Sequence, residues 1–349
     1  AKTYIEGEYL GLERKEMFQK SWQYVCHIEA LNEAGKYVTL DIQGQPIVAI
    51  RDAKGSLRAF YNVCRHKAHE LLQGEGKIKT IVCPYHAWTY NLDGSLRGAP
   101  AMEGNAGFCK SDYTLPEVAC QEWLGWVFIS LNPNAKPVAD LLAQVETLIA
   151  RYDMTNHTET FFEAHVWDTN WKVLAENFME GYHLSVVHPD TLHSYTPTGL
   201  ARKLVGGDGF TSYAANYPDS IEPRGEGAPG LTEAERKRST LFAKFPTQVA
   251  SQAASLLVSL SIFPIHASLI RVKWTMSVYQ DYLDYDTVQQ RIALWEEVNR
   301  EDREKLERMQ VALASAHAVE GPLAGDDYEG TIRDFQIWLA GRDARPPVA

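Results

Sequence analysis

Two short patterns constrain this chain more than anything else in it. Cys64-Arg65-His66 and Cys83-Pro84-Tyr85-His86 each place a thiol and an imidazole two or three residues apart, and nineteen residues separate the two cysteines. A fold that lets the two arms meet must carry both on loops of one small domain. Cys64, His66, Cys83 and His86 then make a four-ligand metal site. A zinc site usually groups Cys with Cys and His with His. One of each per arm suits an asymmetric two-iron cluster, with thiolates on one iron and imidazoles on the other. A structural zinc knuckle is the competing reading of the same four residues.

The sequence around the arms has the matching texture. Short alternating runs cover Tyr37–Asp41, Ile47–Arg51, Ala59–Val63, Thr80–Val82, Trp88–Tyr90 and Trp126–Ser130, with turn signals such as Leu92-Asp93-Gly94 separating them. This predicts a small antiparallel β domain with both arms in its loops. Before it, residues 8–22 read as an amphipathic helix. After it, Asn132–Pro137 holds two prolines in six residues and marks a linker. Beyond the linker, helices are expected over Val138–Tyr152, Trp171–His183 and Thr287–Ala316, with strands over Glu159–Asp168 and Ser268–Gln280. Ala253–Phe263 reads as a buried strand or helix. The polar, Gly/Pro-rich stretch Gly206–Glu235 reads as a mobile loop or lid. The resulting division is 1–36 as a helical segment packing on the catalytic domain, 37–135 as the metal-bearing β domain and 136–349 as the catalytic domain.

Composition closes off several classes. The net charge of −11 argues against a nucleic-acid partner, and no apolar stretch reaches the length of a membrane span. Five cysteines, an odd number, without a basic-then-apolar leader fit a reducing cytoplasm better than a disulfide framework.

A second set of ligands lies downstream. In Asn170–Pro189, Asn177, Glu180 and His183 fall at three-residue steps and share a helical stripe. His183 and His188 are five apart, about 140° on an ideal helix, so they meet at one metal only if the helix breaks. Gly181 and Pro189 make a break plausible. Two histidines and a carboxylate, with positions left open, form the pattern of non-haem iron centres. Asp302 is the candidate carboxylate, because it sits on the apolar stripe Leu294, Val298, Leu306, Met309, Leu313 of the last long helix, where an acid is costly unless paired or metal-bound. Glu301, Arg303 and Glu304 are expected to face solvent.

Both regions resemble one family, the Rieske non-haem iron oxygenases. Val63-Cys64-Arg65-His66-Lys67-Ala68-His69 and Val82–Tyr90 are similar to its Rieske iron–sulfur domain, with Lys67 where Arg is common. Asn170-Trp171-Lys172, Glu176–His183 and His188-Pro189 resemble its catalytic-domain signature, and Glu301-Asp302 with Glu307 and Gln310 its carboxylate segment. The resemblance implies an α+β chain: an N-terminal Rieske antiparallel β domain plus a helix-grip (START/Bet v1-like) catalytic domain. It implies a Rieske [2Fe-2S] cluster on Cys64, His66, Cys83 and His86, and mononuclear Fe(II) on His183, His188 and Asp302, with Asn177 and Glu180 as further catalytic residues. In the family an acid at the place of Glu180, usually Asp, bridges a cluster histidine of one subunit (His86 is favoured here) to an iron histidine of the next, so a homotrimer is expected. Electrons would come from NAD(P)H through a separate reductase component, directly or by way of a ferredoxin, and O2 would be the oxidant. Glu in place of Asp, with His69–Lys77 after the first arm, looks like the branch acting on choline, glycine betaine or carnitine. Tyr182, Tyr195, Phe210, Tyr213, Tyr217, Phe263 and Trp274 are the candidates for an aromatic cage around the cation. Hydroxylation of an aromatic acid is the alternative. An electron-transfer protein or a helix-grip lipid carrier would have no use for the second metal set.

Overall fold

The structure, a computed structural model, describes residues 2–319 and 321–342. The last seven residues of the segment assigned to the catalytic domain lie outside them. Residues up to Met17 and from Ala139 onward form one compact unit; Phe18–Val138 form the other.

In the Phe18–Val138 unit, short alternating sequences pair as antiparallel strands. These are β1 (Gln23–His27), β2 (Lys36–Ile42), β3 (Gln45–Arg51), β4 (Leu57–Tyr61), β5 (Glu75–Lys77), β6 (Ile81–Val82), β7 (Thr89–Tyr90), β8 (Leu96–Gly98), β9 (Glu117–Trp123) and β10 (Trp126–Ser130). Seven of them form one sheet in the order β1-β10-β9-β4-β3-β2-β5, and β6-β7-β8 form a second. Leu124 and Gly125, both at positive φ, close the β9–β10 hairpin with the twist its strands need. Strand parity decides where the arms sit. On β3 and β4, Ile47, Ala49 and Ala59 enter one core, while Val48, Ile50 and Phe60 enter another that contains Cys64, Cys83, Trp88 and Tyr90. Each such buried aliphatic or aromatic side chain contributes about 1.5–3 kcal/mol, so the thiol side of the metal site is built into a hydrophobic core.

The other unit is a seven-stranded antiparallel sheet in the order β11-β17-β16-β15-β14-β13-β12, with β11 at His157–Trp167, β12 at Ala201–Lys203, β13 at Phe210–Asn216, β14 at Arg238–Lys244, β15 at Gln248–Gln252, β16 at Leu256–His266 and β17 at Leu269–Tyr279. A 29-residue helix, Tyr285–Leu313, follows β17 and packs against β11 and the helix Trp171–Phe178. Asp284 starts it by accepting from Thr287 N at 2.9 Å. The helix Trp171–Phe178 is capped by Asn170, which also ties it to the long helix through Gln310 Oε1 at 2.8 Å. The N-terminal helices Lys2–Ile5 and Gly7–Glu13 are bonded to this same unit: Glu13 holds Trp171 and Lys172, and Tyr4 Oη donates to Glu176 at 2.7 Å. Residues 18–36, in contrast, lie in the β unit.

Three expectations need correction. Gly206–Glu235 is not loop throughout, because Phe210–Asn216 is a buried strand of the main sheet. The helix expected over Trp171–His183 stops at Phe178. On the long helix Met309 is exposed, and the buried stripe runs Val298, Asn299, Asp302, Leu306, Gln310.

Candidate metal centres

The two cluster arms fold as the same turn. Cys64 N donates to His69 O and Ala68 N to Cys64 O; in the second arm Cys83 N donates to Trp88 O and Ala87 N to Cys83 O. Ala68 and Ala87 end the turns at φ 56° and 57°. Each turn buries its cysteine and exposes its histidine. The His66 and His86 rings lie 4.7 Å apart, and Trp88 stacks on His66 at 5.0 Å. Tyr90 Oη sits 3.4 Å from Cys64 Sγ and accepts from Arg65 N at 3.0 Å, a support that spacing alone did not suggest. Burial, with Cys64 alongside, pushes the Cys83 thiol up. Two adjacent buried thiols with two exposed imidazoles above them fit a group that supplies positive charge to the sulfurs and is reached from outside through the histidines. The donor set therefore fits a cluster with unlike ends.

The second centre depends on the helix break. After Phe178 the chain turns through Met179–His183 and makes one helical turn, Leu184–Val187, with His183 and His188 at its two ends. Gly181 is required here for space: a Cβ would come 2.8 Å from Ala201 Cβ. His183, His188 and Asp302 thereby bring one ligand atom each within 4.8 Å of one another. His188 Nε2 is 3.1 Å and His183 Nε2 is 3.6 Å from Asp302 Oδ1.

Carboxylates hold the far side of both rings. Glu180, buried, takes His183 Nδ1 on one oxygen and the backbone N–H groups of Tyr182 and His183 on the other. Glu301 Oε2 takes His188 Nδ1 and Thr191 Oγ1, each at 2.7 Å. This overturns the expectation that Glu301 faces solvent. It is the residue that sequence reasoning missed, although a buried imidazole always needs a partner behind it and Glu301 adjoins Asp302. With Nδ1–H given to a carboxylate, both Nε2 lone pairs face Asp302 Oδ1, which is buried without a hydrogen bond. Burial opposes protonation of His188, but Asp302 and Glu301 outweigh it and raise its pKa. Three acceptors converging with excess negative charge are what a divalent cation satisfies. Tyr213 Oη donates to Glu180 O at 3.2 Å, steadying the turn. Asn177 stands half-buried on the last turn of Trp171–Phe178, off the Glu180–His183 turn.

The aromatic candidates do not gather into one cage. Tyr195 and Tyr217 face a common cavity with ring centroids 6.3 Å apart. Arg224 already covers Tyr195 at 3.7 Å, Trp274 packs on Phe161, and Tyr182 is exposed.

A profile described as the ring hydroxylating alpha subunit (catalytic domain) matches residues 150–342, and one described as the Rieske [2Fe-2S] domain matches residues 21–118. The chain belongs to the ring-hydroxylating alpha-subunit family. Among relatives of this oxygenase family, the carnitine monooxygenase oxygenase subunit of Escherichia coli (strain K12) is 38% identical over 192 residues, which cover 54% of this chain and 51% of that one. The match thus spans about half the length of that relative. The glycine betaine monooxygenase oxygenase subunit of Chromohalobacter salexigens is 29% identical over 99% of this chain and 86% of its own. A solved quaternary ammonium Rieske monooxygenase, whose structure bears on carnitine oxidation and inter-subunit electron transfer, superposes with a TM-score of 0.85 at 25% identity, covering 97% of this chain and 92% of that one.

Proposed function

We propose that this chain is the oxygenase component of a Rieske system that uses O2 and electrons from a separate NAD(P)H-dependent reductase, directly or through a ferredoxin, to hydroxylate or N-demethylate a small quaternary ammonium or betaine-like compound. The convergence of His183, His188 and Asp302 in the same chain as a Rieske domain carries this reading. The substrate class rests on the relatives named for carnitine and glycine betaine. When bound, the two groups supply single-electron storage and activation of O2. Cys64, His66, Cys83 and His86 would hold the cluster. His183, His188 and Asp302 would hold iron through three ligands and leave its remaining side for O2 and substrate. Glu180 and Glu301 fix the two imidazole rings, and Asn177 is proposed as a further catalytic residue.

Glu180 is also our candidate for the link to a neighbouring chain's cluster, which requires a head-to-tail ring; the family resemblance makes that ring a homotrimer. Two exposed patches support this. One carries Val82 and Tyr85 beside His66 and His86; the other carries Tyr182 and Val186 beside Glu180 and His183. Apolar surface at both metal sites suits two unlike halves of a repeating interface.

The test is metal analysis of anaerobically purified protein followed by oxygen uptake with a promiscuous reductase. About two sulfides and about three irons per chain are expected, and His183→Ala should lose only the mononuclear iron. Betaines, choline and carnitine are run beside benzoate-type acids. One zinc without sulfide, or no substrate-dependent oxygen uptake with any of them, refutes the proposal.

A further inference from the structure

The long helix carries a second buried charge on the face of Asp302. Arg291 precedes Asp302 by eleven residues, three turns and about 20°, so the two share a face about 16 Å apart along the axis. Asn299 and Trp295 lie between them on the same helix, and Trp295 and Arg291 line the cavity faced by Tyr195 and Tyr217. The opposite wall is β-sheet, including Ser251. Leu192, Tyr195 and Thr196, which follow His188 and Thr191 in the chain, line the cavity as well, so it lies between Arg291 and the loop that carries a metal ligand.

Arg291 is 9% exposed. Its Nε and Nη2 reach Tyr282 Oη at 3.2 and 3.0 Å, and among the described residues no carboxylate lies in ion-pair range of it. Burial lowers its pKa to about 10, which leaves it charged at neutral pH. The cavity's other two cations differ. Arg224 lies on the Tyr195 ring, and Arg236 has Glu226 at 3.4 Å. A buried guanidinium with a phenol as its neighbour and no counter-ion among the described residues is costly, and a planar fork of donors facing a cavity matches a carboxylate.

We propose that Arg291 is a specificity-determining residue that binds a carboxylate of the substrate at the end of the cavity remote from Asp302. This deepens the proposed function and rests on it. Substrates must carry an acid group several bonds from the carbon that reacts; a quaternary ammonium compound without one, such as choline, is rejected.

Binding and turnover are measured separately. Glycine betaine, γ-butyrobetaine and benzoate are titrated calorimetrically into the holoenzyme beside choline and the γ-butyrobetaine methyl ester. Oxygen uptake is then followed with the compounds that bind. At least one acid should bind, with its esterified or acid-free counterpart about 100-fold weaker. Arg291→Gln should raise KM for the acid about 100-fold with kcat little changed, leave the ester unaffected, and be partly rescued by Arg291→Lys. Melting curves confirm that both variants fold; if Arg291→Gln does not, the acid–ester comparison in the wild type decides. Failure of every acid to bind, equal binding of acid and ester, or an unchanged KM in Arg291→Gln overturns the assignment. Acid binding without oxygen uptake instead leaves Arg291 standing and removes the oxygenase reading.

Discussion

Replacing Glu301 tests whether the mononuclear site is built from two layers of carboxylate. One oxygen of Glu301 serves both His188 Nδ1 and Thr191 Oγ1, and the side chain is 13% exposed against 1% for His188. Glu301→Ala strands two donors where water has little access, at about 1–3 kcal/mol for each unsatisfied group. It also frees the His188 ring to rotate away from Asp302. Partners behind a ligating imidazole change metal affinity about 10–100-fold, which is about 1.4–2.8 kcal/mol, and Glu301→Ala should reach the upper end. Glu301→Gln keeps an acceptor for Nδ1–H but loses the charge, so a loss of about tenfold is expected. The assay is anaerobic Fe(II) titration of protein stripped of mononuclear iron, with cluster iron subtracted by its sulfide. Glu304→Ala, on the exposed side of the helix, is the control. If Glu301→Ala binds iron within twofold of the wild type, His188 is oriented by something else and the two-layer argument fails.

Three further outcomes follow from the same geometry. Glu180→Gln should retain both metals yet slow product formation at least about tenfold, and unchanged reoxidation of the reduced cluster by stopped flow would remove Glu180 as the link. Gly181→Ala must displace the Glu180 turn, because its Cβ would meet Ala201 at 2.8 Å; a loss of about 1–3 kcal/mol is expected, seen as a lower Tm, and an unchanged Tm contradicts the close approach. Glu235 is buried, which alone would raise its pKa, but bonds from Arg151 and Thr232 prevail and lower it from 4.5 to about 2. That contribution is present above about pH 4.5 and is lost as pH falls toward 2, so the Tm gap between wild type and Glu235→Gln should narrow over that range; a constant gap refutes it.

Much of the β unit was legible because short runs rich in Val, Ile and aromatic residues, such as Ile47–Arg51 and Trp126–Ser130, are set off by Gly or Asn turns. Strand β13 was not, since Gly206-Gly207-Asp208-Gly209 ahead of it and Pro218 behind give the window a loop composition while Phe210–Ala215 pack in the sheet. The pairing of His183 with His188 could be argued from their spacing, but where the helix ends could not: no proline or glycine stands at Phe178, and the backbone stops where Glu180 can turn back onto His183. Asp302 was found as an acid on an apolar stripe. Glu301 was assigned to solvent by the same phase argument, because its partners come from a loop more than a hundred residues away. Local periodicity reports which side of a helix is apolar; it carries no information about which distant loop lies against the edge of that side.

Glu301 and Asp302 are consecutive, about 100° apart around the helix, and they address opposite nitrogens of the same imidazole. His188 is therefore a rivet: the loop Leu184–Thr191 and the helix Tyr285–Leu313 cannot part without undoing both layers of the site at once. His183 has no such tie, because its supporting carboxylate belongs to its own turn. Among the described residues, His183 is held on the helix side through Asp302 alone, so its position relative to the helix depends on the occupant of the site far more than that of His188 does.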